Sequence, residues 1–281
     1  MILHRYLDEY GLNSLSDCEL KVSIPSEFND PFEGLPKDTG TWTRNKTKRK
    51  LFNRNNIDEV YQTLKSQGSV LNKKVFKKSL DKKALIDNLL NKYNSGLMWE
   101  GIQKLKAKGD DVWRIICFAS SETTELDQIL LWSHYTNKHK GIRFHFDSTK
   151  LLYNSFEIKK IVYSTERSSI DTTLEPNSLQ FGTQIIDSWI TKSVSWKYEQ
   201  EYRLFIAPQL CYNKSYNNNN TLLFIKLIPE SLVQIDLGVF CSKELESSIK
   251  ELLNKNEYSH IKLFRANLAQ KEFKFDYVKI K

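Results

Sequence analysis

A chain of 281 residues that is 40% hydrophobic and 12% aromatic is long enough to bury a core and too apolar for wholesale disorder. Its net charge of +8 is unevenly placed: residues 44–108 hold 17 Lys/Arg against 5 Asp/Glu, which leaves the remainder at a net −4. Met1-Ile2-Leu3-His4-Arg5 leads into polar residues rather than a signal core, and no apolar run approaches the roughly 20 residues of a membrane span, so a cytoplasmic protein with no membrane partner is expected.

In chain order, residues 3–6 read as a short strand, 8–15 as a helical stretch and 19–24 as a second strand with Leu20, Val22 and Ile24 alternating. Cys18 is the first of four cysteines, followed by Cys117, Cys211 and Cys241; they lie far apart without a CxxC or Cys/His spacing, so neither zinc, nor any other metal, nor a disulfide framework is expected. Pro25 and Pro31 bracket a turn in which Asn29 and Asp30 can bond nearby backbone amides while Phe28 and Phe32 pin strand ends. Residues 36–109 change texture to lysine-rich helix. Val75, Phe76, Leu80, Leu85, Leu89 and Leu90 recur at spacings that predict one apolar face, with Lys73, Lys77, Lys78, Lys82 and Lys83 around the other. We read this stretch as a helical insertion in a single catalytic-type domain spanning 1–281.

The run 113–119 predicts a central strand. After it, 127–147 (DQILLWSHYTNKHKGIRFHFD) concentrates two histidines, two lysines, a serine and a tyrosine within eight residues, then alternates Ile142, Phe144 and Phe146 as a half-buried strand. Gly141 is expected to let a turn over 138–141 aim the preceding Trp132-Ser133-His134-Tyr135 and the new strand at one cleft. A strand over 159–163, a loop over 164–177 and a helix over 178–191 follow. Residues 217–220 predict a hairpin-like loop before a strand at 222–227, then come a strand at 233–239, a helix at 242–253 and closing strands at 261–264 and 273–280. The sum is α+β with a mixed, largely antiparallel sheet. Glu199 and Glu201 precede the alternation Tyr202, Leu204, Ile206; two apart on an extended chain they face one side, where one carboxylate can hold a developing cation and the other accept a proton. On a wet surface the same residues would pair with Lys197 and Arg203 instead. No GxGxxG or GxxxxGK[ST] occurs, which disfavours a Rossmann or P-loop site.

Four blocks, LHRY (3–6), SIPSEFNDPF (23–32), LWSHYTNKHKGI (131–142) and WKYEQEYRL (196–204), resemble those of a widespread bacterial family of unknown function, in a match that runs nearly end to end and omits the basic insertion. The order of motifs also resembles the ADP-ribosyltransferase superfamily with its nucleic-acid- and protein-modifying toxin branches. That resemblance implies a sheet core of that type and NAD as substrate. His4, Arg5 or Tyr6 would anchor NAD, Tyr135 or Ser133 would pack on the nicotinamide side, Glu201 would stabilise the oxocarbenium-like transition state and Glu199 would orient the acceptor. Ser133, His134, Asn29 and Asp30 complete the expected cofactor-binding set. It further implies a toxin or antiphage effector whose acceptor is nucleic acid, or else protein, and which an antitoxin neutralises; Lys73, Lys74, Lys77 and Lys78 are the candidate nucleic-acid contacts. Two alternatives compete: a metal-independent ribonuclease with His134 and His139 as acid and base and Lys140 or Arg143 on the phosphate, and a non-catalytic nucleic-acid-binding module.

Overall fold

The computed structural model describes residues 1–52, 57–58, 61–62, 65–66, 68, 70, 72–79, 82–94, 97–151, 158–216 and 220–281. The chain divides into two compact units, one of residues 1–34, 107–166 and 189–281, the other of residues 35–106 and 167–188. The strands are β1 (Ile2–Leu7), β2 (Glu19–Val22), β3 (Lys37–Asp38), β4 (Arg114–Ser120), β5 (Ile142–Asp147), β6 (Ile158–Lys160), β7 (Val162–Ser164), β8 (Ser169–Ile170), β9 (Thr191–Ser193), β10 (Glu201–Ile206), β11 (Tyr212–Tyr216), β12 (Asn220–Lys226), β13 (Leu232–Leu237), β14 (Lys262–Leu268) and β15 (Phe275–Lys279).

The first unit is built on an eight-stranded sheet in the order β15-β14-β13-β5-β1-β4-β10-β6, in which β13 and β14 run parallel and the other pairs antiparallel. The mixed, mostly antiparallel α+β organisation expected from the alternation is therefore present. β11, β12 and β2 form a second, antiparallel sheet, and β7 pairs with β9. Alternation sorts the main sheet into two faces. Leu3, Ile116, Phe118, Phe144, Phe146, Leu204, Ile206, Ile235 and Leu237 share one apolar core with Leu15, Leu245 and Ile249 from the helices Gly11–Ser16 and Lys243–Leu252. The residues between them, His4, Tyr6, Arg143, His145, Glu201, Arg203 and Asp236, are buried as well. Trp132, from the helix Glu125–Tyr135, is 1% exposed; it meets Tyr6 edge-on at 5.4 Å and its Nε1 donates to the Tyr277 hydroxyl at 3.1 Å. That helix starts on a capping box between Thr124 and Asp127.

The turn after it differs from the expectation. Three consecutive non-glycine residues, Asn137, Lys138 and His139, take left-handed φ values of 48°, 59° and 66°. Gly141 is needed for space rather than for its angles: a Cβ there would lie 2.0 Å from the Leu7 carbonyl oxygen and 2.8 Å from Asp8 backbone atoms. We therefore expect Gly141→Ala to destabilise the first unit by about 1–3 kcal/mol, the scale of overpacking, with denaturant unfolding as the measurement. Unchanged stability would mean that β1 can move aside. Residues 159–163 also depart from one strand: β6 and β7 belong to different sheets, with buried Ile161 between them.

The second unit carries the helices Arg44–Leu51, Lys73–Ser79 and Lys82–Asn94 with the parallel pair β3 and β8, the latter inside the predicted loop 164–177. Its buried apolar residues include Phe76, Ile86 and Ile102, whereas Val75 and Leu85 are 45% and 38% exposed, so the single stripe predicted across 75–90 is corrected. The cause is the division of that stretch into two helices, each with its own phase. Leu80 lies outside the described residues, as do 217–219 of the predicted hairpin loop. Among the described residues no helix is long and apolar enough to cross a membrane.

Candidate active site

β1 and β4 pair at only two positions, Leu3 with Ser120 and His4 with Ala119, whereas β1 and β5 pair along six, from Ile2 to Leu7. A cavity of about 330 Å³ is lined by consecutive residues of both strands, His4 to Leu7 and Cys117 to Ala119. Lining by consecutive residues means that both side-chain directions of each strand reach the cavity, as at an opening between strands. One register row crosses the sheet there: His145 opposite His4, His4 opposite Ala119, Ala119 opposite Glu201.

At the far wall three carboxylates surround one ammonium. Lys192 Nζ lies 2.6 Å from Glu199 Oε2, 3.0 Å from Glu201 Oε2 and 3.2 Å from Glu33 Oε1. Arg203 closes the cluster, donating from Nε to Glu201 Oε1 at 2.6 Å, from Nη2 to Glu33 Oε2 at 2.8 Å and from Nη1 to the Trp189 carbonyl at 2.8 Å. Phe28 lies against its guanidinium, 4.8 Å from the ring centre. All five charged side chains are buried. Residue types alone place Glu201 and Arg203 together, two apart on β10. Glu199 arrives differently from the extended geometry expected. It ends the 3₁₀ segment Val194–Glu199, and Gln200 then takes a left-handed φ of 43° before β10 begins. Its partner is Lys192 rather than Lys197.

Tyr135, the last residue of its helix, donates its hydroxyl to Glu199 Oε1 at 2.5 Å. The two glutamates are driven apart. Burial raises Glu199 above the usual carboxylate range, only partly opposed by Lys192, whereas for Glu201 the opposing charges of Arg203 and Lys192 overcome burial and hold it at about 2. Two neighbouring carboxyls whose proton affinities are driven in opposite directions are the elements of acid–base chemistry.

Residues 131–204 match the family model described as Protein of unknown function (DUF2971). No curated protein and no solved structure matches the chain. The DUF2971 segment, about a quarter of the chain, runs from Leu131 to Leu204. It takes in Tyr135, Lys192, Glu199, Glu201 and Arg203, while the block 3–6 that supplies His4 and Arg5, and Glu33 just after the block 23–32, lie outside it.

Of the residues named from sequence, Glu199, Glu201 and Tyr135 line the cavity together with His4, Arg5, Tyr6 and Asn29. Ser133, His134 and Asp30 do not. His134 Nδ1 is 3.0 Å from the Tyr198 hydroxyl, and Asp30 Oδ1 accepts from the Phe32 amide at 2.9 Å, a turn bond that shapes the approach to Glu33. Phe32 itself is 62% exposed and pins nothing, in contrast to Phe28. His139 packs its ring against Phe240 and Phe275, and Arg143 is committed to Asp236, Tyr6 and Gln128. In the second unit Lys74, Lys77 and Lys78 are exposed and Lys73 pairs with Asp58 at 2.7 Å. Reading by motif missed Glu33, one residue beyond the SIPSEFNDPF block, and Lys192. The available signal for Lys192 was an isolated lysine three residues after a buried tryptophan.

Proposed function

We propose that the protein is an ADP-ribosyltransferase-like enzyme that uses NAD as substrate and transfers ADP-ribose to nucleic acid, with protein as the competing acceptor. The observation that carries the reading is the pairing of Glu199 and Glu201 on Lys192, with Tyr135 on Glu199, in one cavity with His4 and Arg5 of the first strand. The cavity volume lies at the low end for small-molecule sites, which suits the nicotinamide-ribose portion of a dinucleotide. In this reaction the bond from ribose C1′ to the nicotinamide nitrogen breaks, its electron pair leaves with nicotinamide, and the acceptor nucleophile bonds to C1′. Glu201, held ionised by Arg203 and Lys192, faces the positive charge that develops on the ribose; Glu199, once ionised, takes the proton of the acceptor. A toxin or antiphage role follows from the resemblance alone.

Incubation with labelled NAD and total cell RNA, DNA and protein tests the reading: label is expected in nucleic acid, and release of neither nicotinamide nor labelled product overturns it. The lysines Lys73, Lys74, Lys77 and Lys78 give a separate prediction. Changing all four to glutamine is expected to lower transfer to nucleic acid and flatten its salt dependence, by up to about 4 units of log–log slope, while NAD hydrolysis stays unchanged. A flat salt response in the unaltered protein would favour a protein acceptor.

A further inference from the structure

The buried cluster at the cavity wall is one positive charge short. Glu33, Glu199 and Glu201 face Lys192 and Arg203; among the described residues Arg203 pairs with Glu33 and Glu201 and not with Glu199, whose oxygens meet the Lys192 ammonium and the Tyr135 hydroxyl. The other groups around the cluster do not make up the difference. Tyr163 accepts from the Glu201 amide, Tyr198 bonds His134, and the Cys117 thiol is pushed up by burial. Glu27 pairs with Lys21. Across the cavity, Arg5 donates to a neutral group, the Lys21 carbonyl, and among the described residues no carboxylate pairs with it.

A second, independent observation points to a ligand at the same place. His4 is 8% exposed, lines the cavity in the register row of Glu201, and its Nδ1 has no hydrogen-bond partner; Arg5 Nη1 is likewise buried and unpartnered. Burial and the neighbouring His145 and Arg143 hold His4 neutral, at about 2, so it offers a polar atom and no charge. Unpartnered buried polar groups on a cavity wall are groups that a ligand completes.

We infer that in the free protein the missing positive charge is a proton carried by the Glu199 carboxyl, and that a cationic ligand ring exchanges for that proton and so converts Glu199 into the base. This deepens the reading above, on which the choice of a nicotinamide cation as ligand rests. The exchange balances: one cation enters, one proton leaves Glu199 for solvent, and the cluster stays neutral. It also removes a contradiction, since a carboxyl that is protonated at rest cannot accept the acceptor's proton until the substrate has bound.

The test is direct binding without turnover, using 1-methylnicotinamide as the cation and nicotinamide as its neutral counterpart. Affinity for the cation is expected to tighten about tenfold per pH unit while Glu199 is protonated and to level off once it ionises, whereas nicotinamide binds with no pH dependence. Calorimetry in two buffers of different ionisation enthalpy should report one proton released for the cation and none for the neutral ring. Glu199→Gln is expected to abolish the release. Glu33→Gln, which balances the cluster at two carboxylates and two cations, should abolish it too and weaken the cation about tenfold. If Glu33→Gln does not fold, the carboxylic-acid infrared band of the native protein, lost in Glu199→Gln, carries the same information. Failure of the cation to bind, equal pH responses for the two rings, or proton release that survives in Glu199→Gln each overturn the inference. Proton-coupled cation binding without any ADP-ribose transfer would remove the proposed activity and leave the exchange standing.

Discussion

Glu201→Gln is expected to slow transfer by roughly two to four powers of ten, the scale of removing one electrostatic stabiliser from a transition state. Both carboxylate oxygens are fixed before any ligand arrives, by Arg203 Nε and Nη2 and by Lys192 Nζ, so the charge faces a developing cation without reorganising. An amide keeps the shape and loses the charge. On the wet surface of the competing reading the substitution would be harmless to folding; at 4% exposure and beside two buried cations it is not. Glutamine removes the carboxylate that bridges the Arg203 guanidinium and the Lys192 ammonium, so the variant should also unfold at lower denaturant. The kinetic effect is therefore read on protein whose near-native circular dichroism is verified at the assay temperature. Glu201→Asp, which keeps the charge at a shorter reach, is expected to recover stability more fully than rate. Full activity in the glutamine variant would assign the carboxylate to structure alone.

The apolar half of each strand was readable because its physical basis is local. Leu204 and Ile206, or Phe144 and Phe146, alternate with period two and end in one core. The polar half of the same strands misleads, because alternation is ordinarily the mark of a sheet with one solvated face. Here the helix Glu125–Tyr135 brings Trp132 and Leu131 onto the second face, with Tyr6 and Ala119. Residues that look solvated are thereby buried, and they persist by pairing: Arg143 with Asp236 at 2.5 Å, Asp236 with His145 Nε2 at 2.6 Å, Arg203 with Glu201 and Glu33. Which acid meets which base depends on partners 91 to 170 residues apart, such as His145 with Asp236 and Arg203 with Glu33, and no local period records them. Tyr135 and Glu199, 64 residues apart, came together from motif composition, without any geometric basis in the sequence. Glu33 and Lys192 belong to no periodic pattern, and only the fold brings them to the same ammonium–carboxylate contact.

Arg203→Met is the substitution with the largest expected cost to folding, about 3–5 kcal/mol by equilibrium denaturation, because it deletes one member of a buried ion network and strands the others. The guanidinium is 1% exposed and holds two carboxylates and a carbonyl at once, so its loss leaves Lys192 as the cation that Glu33 and Glu201 share. Arg203→Lys should recover only part of the deficit: an ammonium is one point charge and cannot reproduce the fork that spans Glu201, Glu33 and the Trp189 carbonyl. Because the two carboxylates share this cation, Arg203→Met and Glu33→Gln are expected to be less than additive when combined. The pH dependence has a definite sign. In the native protein Glu201 sits at about 2, below its unfolded value, so its contribution to stability is complete above the ordinary carboxylate range and is lost as pH falls toward 2. Without Arg203, burial is opposed only by Lys192 and the Cys117 thiol and Glu201 protonates at higher pH, so the acid limb of the stability curve should flatten in the variant. A variant that matches the native protein in both midpoint and acid limb would mean that the network contributes no net stability, as when its desolvation and its pairing cancel.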